Sequence, residues 1–393
     1  MKVVIAIDSL KGSLSSTEAG NAVRTGILKA HPDAEVVVRP LADGGEGTAE
    51  ALAEGFGGRM VSLVVRGPFL QPVRVTYGIV EKSKIAIIEM AAASGIALLK
   101  KEELDPLRAT TYGVGEMIRD AIGKGCREFI VGIGGSATND CGMGMLSALG
   151  YRFLDEKGKE VSQGADFLDQ ITNIDDTEAV RELSQCTFRI ACDVKNPLYG
   201  SNGASYIFGP QKGLKESDKE RIDGKVQRFA KMVAAYSGMD HSFAEGAGAA
   251  GGMGFAFISF LKGTLEPGIT LVMKAINLEE CIKDADYVVT GEGRLDSQTM
   301  MGKAPAGVAA VAEKYNIPVI AFAGSLSEDA NYCNQAGISA FFSILPGIMT
   351  LDEAMKSETA IKNMERTAEQ VFRLIRSLNV TKKLDHNSVG III

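Results

Sequence analysis

The sequence predicts an α/β protein of two domains, one inserted into the other, on three observations. At both ends of the chain, continuous β-branched runs alternate with amphipathic helical stretches, as in parallel βα units. The middle instead carries successive strand runs joined by short polar turns, which pair antiparallel. The length, 393 residues, exceeds what one hydrophobic core ordinarily organises. The expected architecture is an outer Rossmann-like parallel-sheet domain, residues 1–60 with 285–380, interrupted by an inserted mixed-sheet α/β domain, residues 61–284. Residues 381–393 have no clear place and read as a C-terminal tail. A cleft between the domains is the default site.

The elements follow in order. Val3–Ile7 is a continuous apolar run that suits a buried parallel strand. Ser15 and Glu18 form a capping box, after which Ala19, Ala22, Val23, Ile27 and Ala30 recur at helical spacing. Glu35–Leu41 is the second strand, which completes a βαβ unit, and Ala49–Glu54 is helical. Val61–Arg66, Val73–Val80 and Lys84–Met90 read as strands, the last two as a hairpin. A helix over Val114–Ile122 leads into the strand Phe129–Ile133. Met143–Leu149 is a buried helix and Tyr151–Val161 a hairpin. Phe188–Asp193 is a strand, and Ser217–Tyr236 an amphipathic helix. After Ile282 the pattern returns to strands at Tyr287–Thr290, Pro318–Ala323 and Ala340–Leu345. A helix starts near Pro305, and a long one spans Ser357–Leu378.

Composition excludes several classes. Hydrophobic residues make up 46% and charged residues 23%, and the formal net charge is -7. An acidic balance disfavours nucleic-acid and anionic-membrane partners. Six cysteines lack CxxC spacing, so they read as free thiols of a cytoplasmic protein. The opening MKVVIAIDSL is too short an apolar run for a signal peptide. No apolar stretch is long enough for a transmembrane helix. Three histidines lie far apart without ligand spacing.

Polar clusters then stand where ligands bind in open α/β sheets, at the carboxyl ends of strands. The stretch Gly134–Asp140 follows a strand and precedes a helix. Its glycines let the main chain approach an anion, and the helix start favours negative charge. Ser136, Thr138 and Asn139 add neutral hydrogen-bonding groups, and Asp140 a carboxylate able to hold a metal. Asp8–Lys11 follows the first strand, and Asp43–Thr48, with Asp43 and Glu46, the second. Asp193–Pro197, Phe208–Gly213 with Lys212, and Gly291–Gln298 with Arg294 and Asp296 complete the set. Gly246, Gly248 and Gly251 match GxGxxG, but Asp240–Glu245 before them is no apolar strand, so a small-residue helix is expected. The inventory is carboxylates, a few cations and exposed amides, with no partnered nucleophile. Phosphoryl transfer asks for that set, because positioning and electrostatics supply most of its rate. No Walker A sequence and no protein-kinase motif set is present.

Taken jointly, the clusters resemble a family. DSLKGSLSS (8–16), PLADGGEGT (40–48), EMAAASG (89–95), GIGGSATNDCGMG (132–144), CDVKNPLYGSNG (192–203), FGPQKG (208–213) and TGEGRLDSQ (290–298) are similar to the bacterial type-I glycerate kinases (glycerate 2-kinases). The resemblance runs from about Lys2 to Leu378. Leu10 stands where the family more commonly carries Phe, and Cys141 where glycine is usual. The resemblance implies ATP as donor, Mg²⁺ as cofactor and D-glycerate as acceptor, with 2-phosphoglycerate favoured as product and fed into glycolysis. It leaves room for a homo-oligomer. Within it, Lys11 or Arg294 is expected to hold the glycerate carboxylate, Asp193 to act as general base, and Asp296 to be the second choice. Gly134, Gly135 and Ser136, supported by Thr138, Asn139 and Lys212, are the expected phosphate cradle. Asp43 and Glu46 are the expected Mg²⁺ ligands. Two other readings stay open at this point: an NAD-dependent hydroxy-acid dehydrogenase, and a non-catalytic sugar-acid-binding protein.

Overall fold

The computed structural model describes residues 1–42, 45, 47–300 and 303–388, with backbone alone at 298, 300 and 379–388. In chain order the first strands are β1 (Lys2–Ile7), β2 (Glu35–Val38), β3 (Arg59–Arg66), β4 (Pro72–Val80), β5 (Ile85–Glu89) and β6 (Glu128–Gly132). Then come β7 (Arg152–Leu154), β8 (Asn173–Asp175), β9 (Thr187–Ala191), β10 (Thr264–Glu266), β11 (Tyr287–Leu295), β12 (Val319–Leu326) and β13 (Ala340–Ser343). The chain divides into two compact units, Met1–Asp43 with Val272–Ile393, and Gly44–Leu271.

The first unit is built on a five-stranded sheet of order β13-β12-β11-β1-β2, parallel at every pairing. The apolar run Val3–Ile7 is wholly buried, as a strand covered on both faces requires. The helix Ser16–Ala30 begins at the predicted capping box, where Ser15 accepts from the Glu18 N–H and the Glu18 carboxylate accepts from the Ser15 N–H. It buries Ala19, Ala22, Val23 and Ile27. At Gly26 a Cβ would lie 2.3 Å from the Glu365 carbonyl oxygen, so a side chain there would push away the long helix Ser357–Ser388. That helix runs through Val380–Ser388, so most of the expected tail is helical; residues 389–393 lie outside the described residues. Strand β11 also outruns its expected end at Thr290. Its ladder with β12 continues through Arg294↔Ser325 and Leu295↔Leu326, so the polar cluster after Thr290 is itself largely strand. Gly291 permits this, since a Cβ there would meet the Phe322 carbonyl oxygen at 2.0 Å.

The second unit holds a six-stranded mixed sheet of order β10-β9-β6-β5-β4-β3. Strands β3, β4 and β5 pair antiparallel, and β5, β6, β9 and β10 pair parallel. Phe129 and Phe188, opposite each other on β6 and β9, stack with ring centroids 4.8 Å apart. The helix Thr48–Gly55 lies on this sheet, and its Ala49 N–H donates to Glu89 at 2.7 Å. The expected hairpin at Tyr151–Val161 is only partly one. The chain turns back, with the Val161 N–H donating to the Phe153 carbonyl at 2.9 Å, but the strand partner of β7 is β8.

Candidate functional site

In the first unit the carboxyl ends of β1, β11, β12 and β13 open into a cavity of about 450 Å³. Asp8, Ser9 and Lys11 enter it from the turn after β1. Glu292, Arg294, Asp296 and Lys303 enter from β11 and the segment beyond it. The turn after β1 is tight: Leu10 and Leu14 bridge each other, with Leu10 N–H to Leu14 O at 2.9 Å. It is anchored by Ser16, whose hydroxyl donates to the Ile7 carbonyl at 2.6 Å and accepts from the Leu41 N–H at 2.7 Å. Asp8 is buried and accepts from the Ser9 N–H at 2.7 Å.

Glu292 lines the cavity and is 9% exposed. Burial raises its carboxyl above the usual range, and the Thr299 hydroxyl, donating at 2.6 Å, with Lys303, 3.8 Å away, partly opposes this. Lys303 lies equally 3.8 Å from Asp296, and Arg294 is 4.0 Å from the other oxygen of Asp296. Sequence reasoning nominated Lys11, Arg294 and Asp296 but missed Asp8, Glu292 and Lys303. The signal was available, since both acids lie within the quoted motifs and Lys303 precedes a helix that starts with Pro305. What concealed Glu292 was the expected strand end at Thr290, which left it in a loop.

The same cavity has an apolar wall as well: Ile344, Leu345, Leu351, Ala354 and Met355. Leu351–Ala354 is a short helix capped by Thr350, which accepts from the Glu353 N–H. Nothing in the sequence reading nominated this wall.

In the second unit the glycine segment after β6 is held from several sides. Gly95 and Ser136 form an antiparallel bridge, the Ile96 N–H donates to Gly135 O at 2.8 Å, and the Ala137 N–H donates to Ser94 O at 2.9 Å. Gly134 and Gly135 are exposed, Gly135 at φ +71°. Behind them the chain is buried. The Lys212 ammonium, 2% exposed, donates to the Ser136 hydroxyl and to the Thr138 carbonyl, both at 2.7 Å. Burial pulls it down to about 7, with Asp140 acting in the other direction. Asn139 donates to the Ser205 hydroxyl at 2.9 Å, and Thr138 is fully buried.

Asp140 does not offer a metal its carboxylate. It is fully buried and accepts from the Thr111 N–H and hydroxyl and from the N–H groups of Gly142 and Gly144, at 2.8–3.2 Å. Burial raises its carboxyl, and those donors oppose the rise. The group is a fastener for the start of the helix Met143–Ala148. Next to it Cys141 takes φ +52°, the left-handed region that glycine would occupy more easily, and its N–H donates to Gly251 O at 2.9 Å. The GxGxxG match is a close-packing device. It leads into the helix Ala249–Leu261, in which Ala250, Gly251 and Gly252 are left-handed, and a Cβ at Gly251 would lie 2.1 Å from Thr138 O.

Asp193 lies two residues beyond β9, exposed, and accepts from the N–H of Gly268, the first residue of the helix Gly268–Ala275, at 2.9 Å. Asp43 and Glu46 lie outside the described residues. Among the described residues no group of three His, Cys, Asp or Glu side chains is gathered to hold a metal. No helix among them is long and apolar enough to cross a membrane.

Acid- and cation-lined strand tips on a parallel sheet, with a glycine segment on a mixed one, define an α/β enzyme equipped to handle oxyanions. A family model described as "Glycerate kinase family" matches residues 3–376. The "Glycerate kinase" of Bacillus subtilis (strain 168) is 45% identical over 376 residues, covering 96% of this chain and 98% of that one. The "Glycerate 2-kinase" of Escherichia coli (strain K12) is 46% identical over 371 residues, 94% and 97% of the two chains. A crystal structure of a protein from Salmonella typhimurium LT2 superposes with a TM-score of 0.89 at 44% identity, covering 96% of this chain and 99% of that one. The chain belongs to the glycerate kinase family. It is accordingly a kinase, a phosphotransferase with an alcohol group as acceptor and ATP as donor.

Proposed function

We propose that this chain transfers the γ-phosphoryl group of ATP to D-glycerate, giving 2-phosphoglycerate, in the cytoplasm. The observation that carries the reading is the cavity at the carboxyl ends of β1, β11, β12 and β13, where three carboxylates and three cations line one space in a chain of this family. In this reading Lys11 and Arg294 hold the carboxylate of glycerate, Arg294 being able to grip it with two N–H groups. Asp193 takes the proton of the attacking hydroxyl, and Asp296 is the alternative base. Gly134, Gly135 and Ser136 cradle phosphate oxygens through main-chain amides. Thr138, Asn139 and Lys212, being buried, hold that segment in shape without touching the nucleotide.

Mg²⁺ suits this donor set. It ordinarily takes one or two carboxylates together with phosphate oxygens and water, so a dedicated protein cage is not needed. Asp43 and Glu46 are its proposed ligands, and when bound it would neutralise charge on the transferring group. The test is ³¹P and ¹H NMR of the product formed from D-glycerate, ATP and Mg²⁺. The expected product carries phosphate on the 2-hydroxyl. Phosphate on the 3-hydroxyl would overturn the regiochemistry, and absence of any phosphoglycerate would overturn the function.

A further inference from the structure

The cavity of the first unit is more than a three-carbon hydroxy acid can use. In glycerate every carbon carries an oxygen, so it has no apolar surface to bury. Yet Ile344, Leu345, Leu351, Ala354 and Met355 line the same cavity as Lys11, Arg294 and Lys303. Ile344 belongs to the core, but Leu351 is 74% exposed and Met355 36%, so these two side chains contribute little to the core and present their surface to solvent. Residues 344–355 follow β13, at the edge of the parallel sheet where its strands end, the position at which open α/β sheets take their ligands.

The reaction's other substrate has the missing shape. ATP carries a flat, largely apolar base at one end and a polyanion at the other, which matches a cavity of about 450 Å³ lined by both apolar side chains and cations. We propose that the adenine of ATP packs against Leu345, Leu351 and Met355 in this cavity, and that Lys303 serves the polyphosphate. The proposal rests on the kinase reading for the identity of the donor. The Met355 methyl reaches the turn after β1, where a Cβ built on Gly12 would meet it at 3.0 Å. The base therefore lies beside the turn that carries Lys11.

The test uses Leu351→Gln and Met355→Gln in the full chain, with both substrates titrated and adenosine binding measured by calorimetry. Both positions are solvent-facing, so melting temperatures within a few degrees of wild type are expected, and Leu351 serves as the second variant should Met355 fold poorly. The expected result is a KM for ATP raised about tenfold, the scale of one apolar side chain's burial, with the KM for glycerate within twofold. Adenosine alone should bind the wild type and bind the variants about tenfold more weakly. A raised KM for glycerate, or adenosine affinity equal in wild type and variants, overturns the proposal. Failure of the kinase reading is separable: the wild type would then form no phosphoglycerate, while the adenosine titration would still read the pocket.

Discussion

Replacing Lys212 with methionine separates the loop's shape from the protein's stability. Methionine keeps an unbranched chain of similar length and removes the ammonium. Two charge-assisted hydrogen bonds, to Ser136 and to the Thr138 carbonyl, are lost, at roughly 1.5–3 kcal/mol each. Against this, burial lowers the Lys212 pKa from 10.5 to about 7, which disfavours the charged form by about 5 kcal/mol. The opposing effects nearly cancel, so urea denaturation at pH 7 should place Lys212→Met within about 2 kcal/mol of wild type. Catalysis should not be spared. A segment set free to move by about an ångström loses on the order of 100-fold in rate, read as kcat in a coupled ADP-release assay. The stability difference should also move with pH. Below pH 7 Lys212 is protonated in both folded and unfolded chains, and the difference is constant. Between about 7 and 10.5 the unfolded chain binds the extra proton, so wild type gains stability over Lys212→Met as pH rises. Wild-type kcat in the variant would refute the positioning role, and a pH-independent difference would refute the buried, poorly protonated lysine.

Other expectations follow from the same geometry. Gly251→Ala brings a Cβ to 2.1 Å from Thr138 O at φ +67°, so urea denaturation should show a loss of about 1–3 kcal/mol or more; an unchanged midpoint would contradict the close approach. Arg294→Met should raise the KM for glycerate roughly 10- to 100-fold, the worth of a charge-assisted contact, while the KM for ATP stays within a few-fold; the reverse pattern would move the carboxylate elsewhere. Asp193→Asn retains an acceptor for the Gly268 N–H but cannot take a proton, so kcat should fall about 100- to 10,000-fold. Undiminished activity would remove Asp193 as base.

The fold was legible wherever the pattern is local. Val3–Ile7 announces a buried parallel strand by its own composition, and the Ser15–Glu18 capping box announces its helix. The glycine segment at the end of β6 was visible for the same reason. What stayed hidden depends on contacts between distant residues. The apolar wall at 344–355 meets the turn carrying Lys11 only in space, more than 330 positions away along the chain. Lys212 reads as part of the phosphate cradle, and only the fold shows its ammonium enclosed behind Ser136. Asp140 shows the converse: a carboxylate in a glycine loop suggests a metal ligand, but four donors from Thr111, Gly142 and Gly144 already occupy it. Composition identifies which groups can bind an oxyanion, and tertiary packing decides which of them face one.

The most direct test is ADP release from ATP and Mg²⁺ measured across a panel of small hydroxy acids. Release should require the acceptor, be fastest with D-glycerate and stop when Mg²⁺ is chelated. ADP formation at the same rate without any hydroxy acid, or reduction of NAD by glycerate with no ADP formed, would contradict the account.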